Sequence, residues 1–321
     1  MKRIFIFLII MFIMLNISAT FGSVTNDLFT IVKERNSTRD QIDALMKAGA
    51  DINAKDERGF TPFMFAVARN TDPEVIKFLI KAGANVNARS DRGFTPLISA
   101  VIGNSNPDVV QLLINSGANV NAKTNSGSTV LMSSLTNLDP KPETIRMLIN
   151  AGADINSKDG SGNTALIVGA LFGVSPEIIS ILSKAGADAN VKNYEGRTAL
   201  MQVVSTRKAT PIMIQALANA GADPDIKNKD GITALMIAAE YSKPEIVKAL
   251  IDIGADVNAK NPYGVTVLMR ATLNPNPDVL RTFVGTNVNV HAKNARGNTV
   301  MDYVKNKPEK EKIINTMNAK N

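Results

Sequence analysis

The chain has 321 residues, 45% of them hydrophobic, and a formal net charge of +7, a composition that excludes disorder and leaves room for one large or two ordinary domains. It contains no cysteine, no tryptophan and a single histidine, which excludes disulfides, thiol chemistry and a zinc site of the usual Cys and His ligands.

The chain begins MKRIFIFLIIMFIMLNISATFGS: Lys2 and Arg3, an apolar run over 4–15, then small and polar residues including Ser18, Ala19, Thr20 and Gly22. This is the three-part layout of a secretory signal peptide, expected over 1–22 with cleavage after Ala19 or Gly22. The competing reading is a retained membrane anchor, but the run falls short of the roughly 18 apolar residues that span hydrocarbon as a helix. With no cysteine after it, a lipid-anchored lipoprotein is excluded. Removal of Lys2 and Arg3 lowers the charge from +7 to +5, so the mature protein is only mildly basic. The expected location is the bacterial periplasm or the exterior.

Residues 23–55 read as an incomplete leading unit whose helix ends at Gly49. From there one sentence repeats. Gly59, Gly93, Gly127, Gly162, Gly196, Gly231, Gly264 and Gly297 are 33 to 35 residues apart, each followed two positions on by threonine, Thr61 through Thr299. A second column is proline, Pro73, Pro107, Pro142, Pro176, Pro211, Pro244, Pro277 and Pro308. Proline favours the first position of a helix, and an acid follows it in seven of the eight cases, where the helix dipole favours a carboxylate. Apolar runs such as VIKFLI (75–80) carry this helix to a closing glycine, for example Gly83 or Gly254. Upstream, Ala-rich stretches such as TALMIAAEY (233–241) predict a shorter helix, and ADVNAKNPYG (255–264) a turn between units. Each unit is therefore helix, turn, helix, extended hairpin. Seven full units fill 56–293, and a charged closing unit fills 294–321, as a solenoid needs polar ends.

The units TPFMFAVARNTDPEVIKFLIKAGANVNA (61–88) and TALMIAAEYSKPEIVKALIDIGADVNA (233–259) resemble ankyrin repeats. The resemblance implies an all-α solenoid of stacked helix-turn-helix units joined by β-hairpin-like loops, expected to form a curved rod. One family column departs: where the T-P-L-H motif ends in histidine, this chain has Met64, Ile98, Met132, Ile167, Met201, Met236, Met269 and Asp302. In the family that histidine ties adjacent loops together, so the bracing of the loops is in question.

Candidate chemistry is sparse. His291 stands in a hairpin column otherwise filled by Asn53, Asn87, Asn121, Asn156, Asn190, Asp225 and Asn258, whose polar side chains are expected to hydrogen-bond the local backbone. It reads as a substituted turn asparagine, with Asn287 taking the place of the closing glycine before it. DGSGNT (159–164) resembles the start of a calcium loop but has Thr164 and Ala170 where that loop needs Gly and an acid. Thioethers select Cu(I), yet equivalent methionines in units stacked about 8–10 Å apart cannot easily share an ion, so the methionine column reads as packing. A basic column, Lys55, Arg89, Lys123, Lys158, Lys192, Lys227, Lys260 and Lys293, could serve an anionic polymer, but nearby aspartates dilute its field. No catalysis, cofactor, metal or nucleic acid is expected.

Variation concentrates at the hairpin tips and first-helix ends, which the resemblance implies line the partner-binding groove. Here they include Arg58, Phe60, Arg92, Phe94, Tyr194, Arg197, Tyr241, Tyr263 and Val265, rich in the residue types that dominate binding hot spots. RGF occurs at 58–60 and again at 92–94. The expectation is a monomeric, exported, non-catalytic scaffold for a partner protein, with Phe60 and Phe94 as anchors that contribute little to folding. A structural envelope protein binding an anionic wall polymer and a secreted effector binding a host protein are the alternatives.

Overall fold

The computed structural model describes residues 22–34, 37–70, 72–104 and 106–319. The export segment expected over 1–22 lies outside the described residues except for Gly22. Residue contacts divide the chain after Asp154 into two compact units. In the first, α1 (22–31), α2 (Arg39–Lys47), α3 (Pro62–Arg69), α4 (Pro73–Lys81), α5 (Pro96–Gly103), α6 (Pro107–Asn115), α7 (Val130–Ser134) and α8 (Pro142–Asn150) follow one another. In the second come α9 (Ala165–Phe172), α10 (Pro176–Lys184), α11 (Ala199–Ser205), α12 (Pro211–Asn219), α13 (Ala234–Tyr241), α14 (Pro244–Asp252), α15 (Val267–Ala271), α16 (Asp278–Arg281), α17 (Val300–Val304) and α18 (Pro308–Asn318).

Within the first unit α3, α5 and α7 pack in one row and α2, α4, α6 and α8 in another; within the second, α9 to α17 (odd numbers) and α10 to α18 (even numbers) do the same. This is the all-α solenoid that the repeated columns predict. The hairpins are tight turns rather than paired strands, since the described residues hold only two isolated β-bridges, Lys123 with Thr129 and Lys260 with Thr266.

Helices of five to nine residues are too short to persist alone, so caps and burial hold them. The threonine two places after each tip glycine is the N-cap of the first helix: Thr61 accepts from the Met64 N–H at 3.3 Å and Thr95 from that of Ile98 at 3.3 Å. These first helices are buried nearly all round, as in α5, where Pro96 to Val101 are all buried. That burial is why they read as continuous apolar runs. Second helices bury one face only, Val75, Ile76 and Leu79 in α4. Each such side chain contributes about 1.5–3 kcal/mol.

Polar columns join one repeat to the next. The hairpin asparagines do not bond their local backbone, as expected from sequence, but reach across. Asn53 Nδ2 donates to the Gly83 carbonyl at 2.9 Å while its Oδ1 accepts from the Asn85 N–H at 2.8 Å. Asn87 does the same with Gly117 and Asn119, and in the second unit Asn190 with Gly221 and Asp223. Each therefore satisfies an orphan carbonyl at the end of the neighbouring second helix. Members of the basic column donate to backbone carbonyls one repeat on, Lys55 to Arg89 at 3.0 Å and Lys192 to Lys227 at 2.8 Å. At the ends of the first helices, buried Asn104 donates to the carbonyls of Val67 and Asn70, both at 2.8 Å, and accepts from the Asn106 N–H. In the last repeat Lys310 takes over this task, donating to the Asn274 and Thr272 carbonyls, and burial holds its pKa below 10.5. Lys310→Met is expected to lower the unfolding free energy by about 1–2 kcal/mol in urea titrations, since hydrogen bonds from a charged donor carry about 1.5–3 kcal/mol and solvent recovers part of that.

Two expectations need correction. The left-handed residue after α16 is Gly285 (φ +85°), not Asn287, and the only non-glycine with positive φ among the described residues is Asn306. What Asn287 shares with the closing glycines is its carbonyl, which accepts from Asn258 Nδ2 at 3.0 Å. The loops also keep their bracing without the missing histidine, through main-chain bonds between successive tips: Asp91 N–H to Arg58 O at 3.1 Å and Asn125 N–H to Arg92 O at 2.9 Å. Gly93 permits this approach, because a Cβ there would lie 2.8 Å from the Asn125 nitrogen.

Candidate functional site

Each tip is shaped by its first residue. Asp56 Oδ1 accepts from the N–H groups of Arg58 and Phe60, both at 2.9 Å, and Ser90 Oγ accepts from Phe94 N–H at 3.0 Å. The two RGF turns therefore present their phenylalanines alike, and the rings meet across the repeats with centroids 5.7 Å apart. Phe60 also packs against Phe65 of α3 at 5.7 Å, and Phe65 meets Phe29 of α1 edge-on at 6.2 Å. All four rings are half-buried, forming a ladder from tip to first helix. Cations flank it: the Arg58 guanidinium is 5.7 Å from the Phe60 centroid and the Lys33 ammonium 4.9 Å from that of Phe65. The premise that these tips bury little against neighbouring repeats does not hold, because the rings pack between repeats.

Beside Phe94 a groove of about 390 Å³ is lined by Arg92, Ile102 and hydroxyls that include those of Ser128, Ser133 and Thr136. Ser128 Oγ and Ser133 Oγ are 3.4 Å apart, again joining a tip to its first helix. Ser99 of α5, which occupies the same register as Phe65 and Ser133, is 8% exposed and its hydroxyl has no hydrogen-bond partner among the described residues.

In the second unit, Tyr194, Tyr241 and Tyr263 are 61%, 73% and 71% exposed. Among the described residues no ring contact joins them, so the structure does not gather them into one cluster. Arg197 pairs with Glu195 at 3.3 Å, and half-buried Val265 closes its turn through its N–H to Asn261 Oδ1 at 2.9 Å. Tyr241 borders a groove of about 650 Å³ with Thr206, Arg207 and Lys243. A hydrogen bond to the Glu240 carboxylate raises its phenol pKa above the ordinary 10.0, and Glu240 also pairs with Arg270.

Reading the tips alone misses Phe65, Phe29, Lys33 and Ser99. The signal for two of them is a position six residues after the tip glycine, occupied by Phe65, Ser99, Ser133, Gln202 and Arg270 inside otherwise apolar helices.

The remaining candidates are structural. Met64, Met132, Met201, Met236 and Met269 are at most 1% exposed and pack between helices. His291 is exposed, and its backbone N–H donates to Asn289 Oδ1 at 2.9 Å as its column equivalents do. His291→Asn is expected to shift stability by no more than about 1 kcal/mol in urea unfolding and to leave partner affinity unchanged. Among the described residues no group of three or more acids and histidines could hold a metal, and no helix is long and apolar enough to cross a membrane.

Stacked helix pairs that repeat one frame of capping threonines, opening prolines and turn glycines define a helical repeat scaffold. The family model described as ankyrin repeats (3 copies) matches residues 28–124, 68–159, 131–212 and 202–294, and the chain belongs to that family. Ankyrin repeats are typically non-catalytic modules for protein–protein interaction. Comparison with curated proteins finds no match.

Proposed function

We propose that this chain is an exported, monomeric, non-catalytic scaffold that holds a partner protein in the cell envelope, through its hairpin tips and the exposed side of its first helices. The observation that carries this reading is the ladder Phe94, Phe60, Phe65 and Phe29, half-buried apolar surface left open to solvent beside a groove. Aromatic rings so placed supply large contact area at low entropic cost. The wall-polymer alternative is weakened because four members of the basic column, Lys55, Arg89, Lys192 and Lys227, are engaged in hydrogen bonds to carbonyls of the next repeat. Export rests on the basic, apolar and small-residue layout of 1–22. N-terminal sequencing of protein from its native host should begin between Thr20 and Val24, and a product beginning at Met1 would sink the export claim. Crosslinking in intact cells is expected to recover one protein. Recovery of the scaffold from culture medium rather than the periplasmic fraction would favour the secreted effector.

A further inference from the structure

We infer that the groove of the first unit takes an extended acidic segment of the partner, which sets an apolar side chain against Phe60 and Phe94 and a carboxylate at Arg92. This rests on the protein-binding reading above and adds the chemistry of what is bound.

Charge is the first ground. The cations that flank the ladder and groove are Lys33, Arg58 and Arg92, while the acids of the same tips, Asp56, Glu57 and Asp91, do not line the groove. Asp56 answers Arg58 only loosely, at 3.9 Å, whereas the guanidinium of Arg92 makes no ion pair or side-chain hydrogen bond among the described residues. A partner that covers Arg92 strips water from it, which is costly unless an anion takes the water's place. A carboxylate is the protein group that matches the guanidinium fork in a bidentate pair.

The second ground is the hydroxyl wall opposite. Ser128, Ser133 and Thr136 line the groove and no acid does. The Thr136 hydroxyl already donates to the Ser133 carbonyl at 2.8 Å, whereas those of Ser128 and Ser133 face each other at 3.4 Å and their hydrogens can rotate toward an arriving carboxylate oxygen.

The third ground is the groove of the second unit, which has the same bias, with Arg207 and Lys243 beside hydroxyls and no acid in its lining.

The test uses the full chain without its export segment and two fluorescein-labelled synthetic peptides, one alternating glutamate with phenylalanine, the other with glutamine in place of glutamate. Anisotropy titrations in about 0.15 M salt are expected to show the glutamate peptide binding at least about tenfold tighter, the margin of one charge-assisted pair. Arg92→Gln should abolish that preference. Equal binding of the two peptides, binding of neither, or a preference that survives Arg92→Gln overturns the acidic inference and leaves the protein-binding face standing if Phe60→Ala with Phe94→Ala still abolishes capture of the crosslinked partner. Capture indifferent to that double change overturns the face itself.

Discussion

Replacing Phe60 and Phe94 together by alanine is expected to weaken partner binding by about 4 kcal/mol, close to a thousandfold, since hot-spot truncations run to about 2 kcal/mol or more each. The rings are neighbours at 5.7 Å, so the two losses are coupled and their sum is an upper figure. The same change also costs the fold about 1–3 kcal/mol, because Phe60 packs against both Phe94 and Phe65 and each aromatic pair contributes roughly 0.5–1.5 kcal/mol beyond its buried area. Binding must therefore be measured by calorimetry well below the melting temperature of the variant, with circular dichroism to confirm its helices. Phe60→Leu with Phe94→Leu separates the effects, since leucine restores most of the apolar volume but not the ring stacking. The contrasting change is Lys123, Lys158 and Lys192 to alanine, which should weaken binding much less. An affinity that survives the phenylalanine changes and collapses with the lysines transfers support to the wall-polymer reading, as does a steep dependence on salt.

Asn104→Ala should be among the most damaging polar substitutions in the first unit, lowering the unfolding free energy by about 3 kcal/mol in urea titrations. Its side chain is 7% exposed and serves three backbone groups at once: the carbonyls of Val67 and Asn70 and the N–H of Asn106. Removing it leaves the Val67 and Asn70 carbonyls unsatisfied near the end of α3, and each buried orphan costs about 1–3 kcal/mol unless water replaces the lost partner. The bonds span 34 to 37 residues, from one repeat to the previous one, so the loss falls on the coupling between repeats. In a solenoid, stability is approximately the sum of repeat and interface terms. The denaturation curve should therefore broaden as well as shift. Asn104→Asp tests the same point differently, because a carboxylate keeps the acceptor for Asn106 but offers no N–H to the two carbonyls. A variant within about 0.5 kcal/mol of the parent would show that water substitutes freely there.

Much of the molecule follows from the order of residues alone, because the forces involved act within a few positions of the chain. Thr61 caps α3 three residues on, Pro73 opens α4 with a fixed φ and no N–H to satisfy, and Gly83 turns left-handed at φ +93°. A period of 33 to 35 residues repeats these instructions, so helix pairs, turn positions, the family and the place of His291 in its turn were all legible. What folding alone decided are contacts between repeats. A column of asparagines announces its positions but not its reach, and only the packed chain shows Asn53 grasping Gly83 rather than its own turn. Gly285 rather than Asn287 takes the left-handed turn because α16 is only four residues long. The phenylalanine ladder is of the same kind: Phe29, Phe60, Phe65 and Phe94 are far apart in sequence or differently placed within their repeats, and stacking brings their rings within 5.7 to 6.2 Å of one another. The orphaned hydroxyl of Ser99 is likewise invisible in a string of letters, since whether a serine finds a partner depends on which atoms burial brings to it, and burial is a property of the assembled fold.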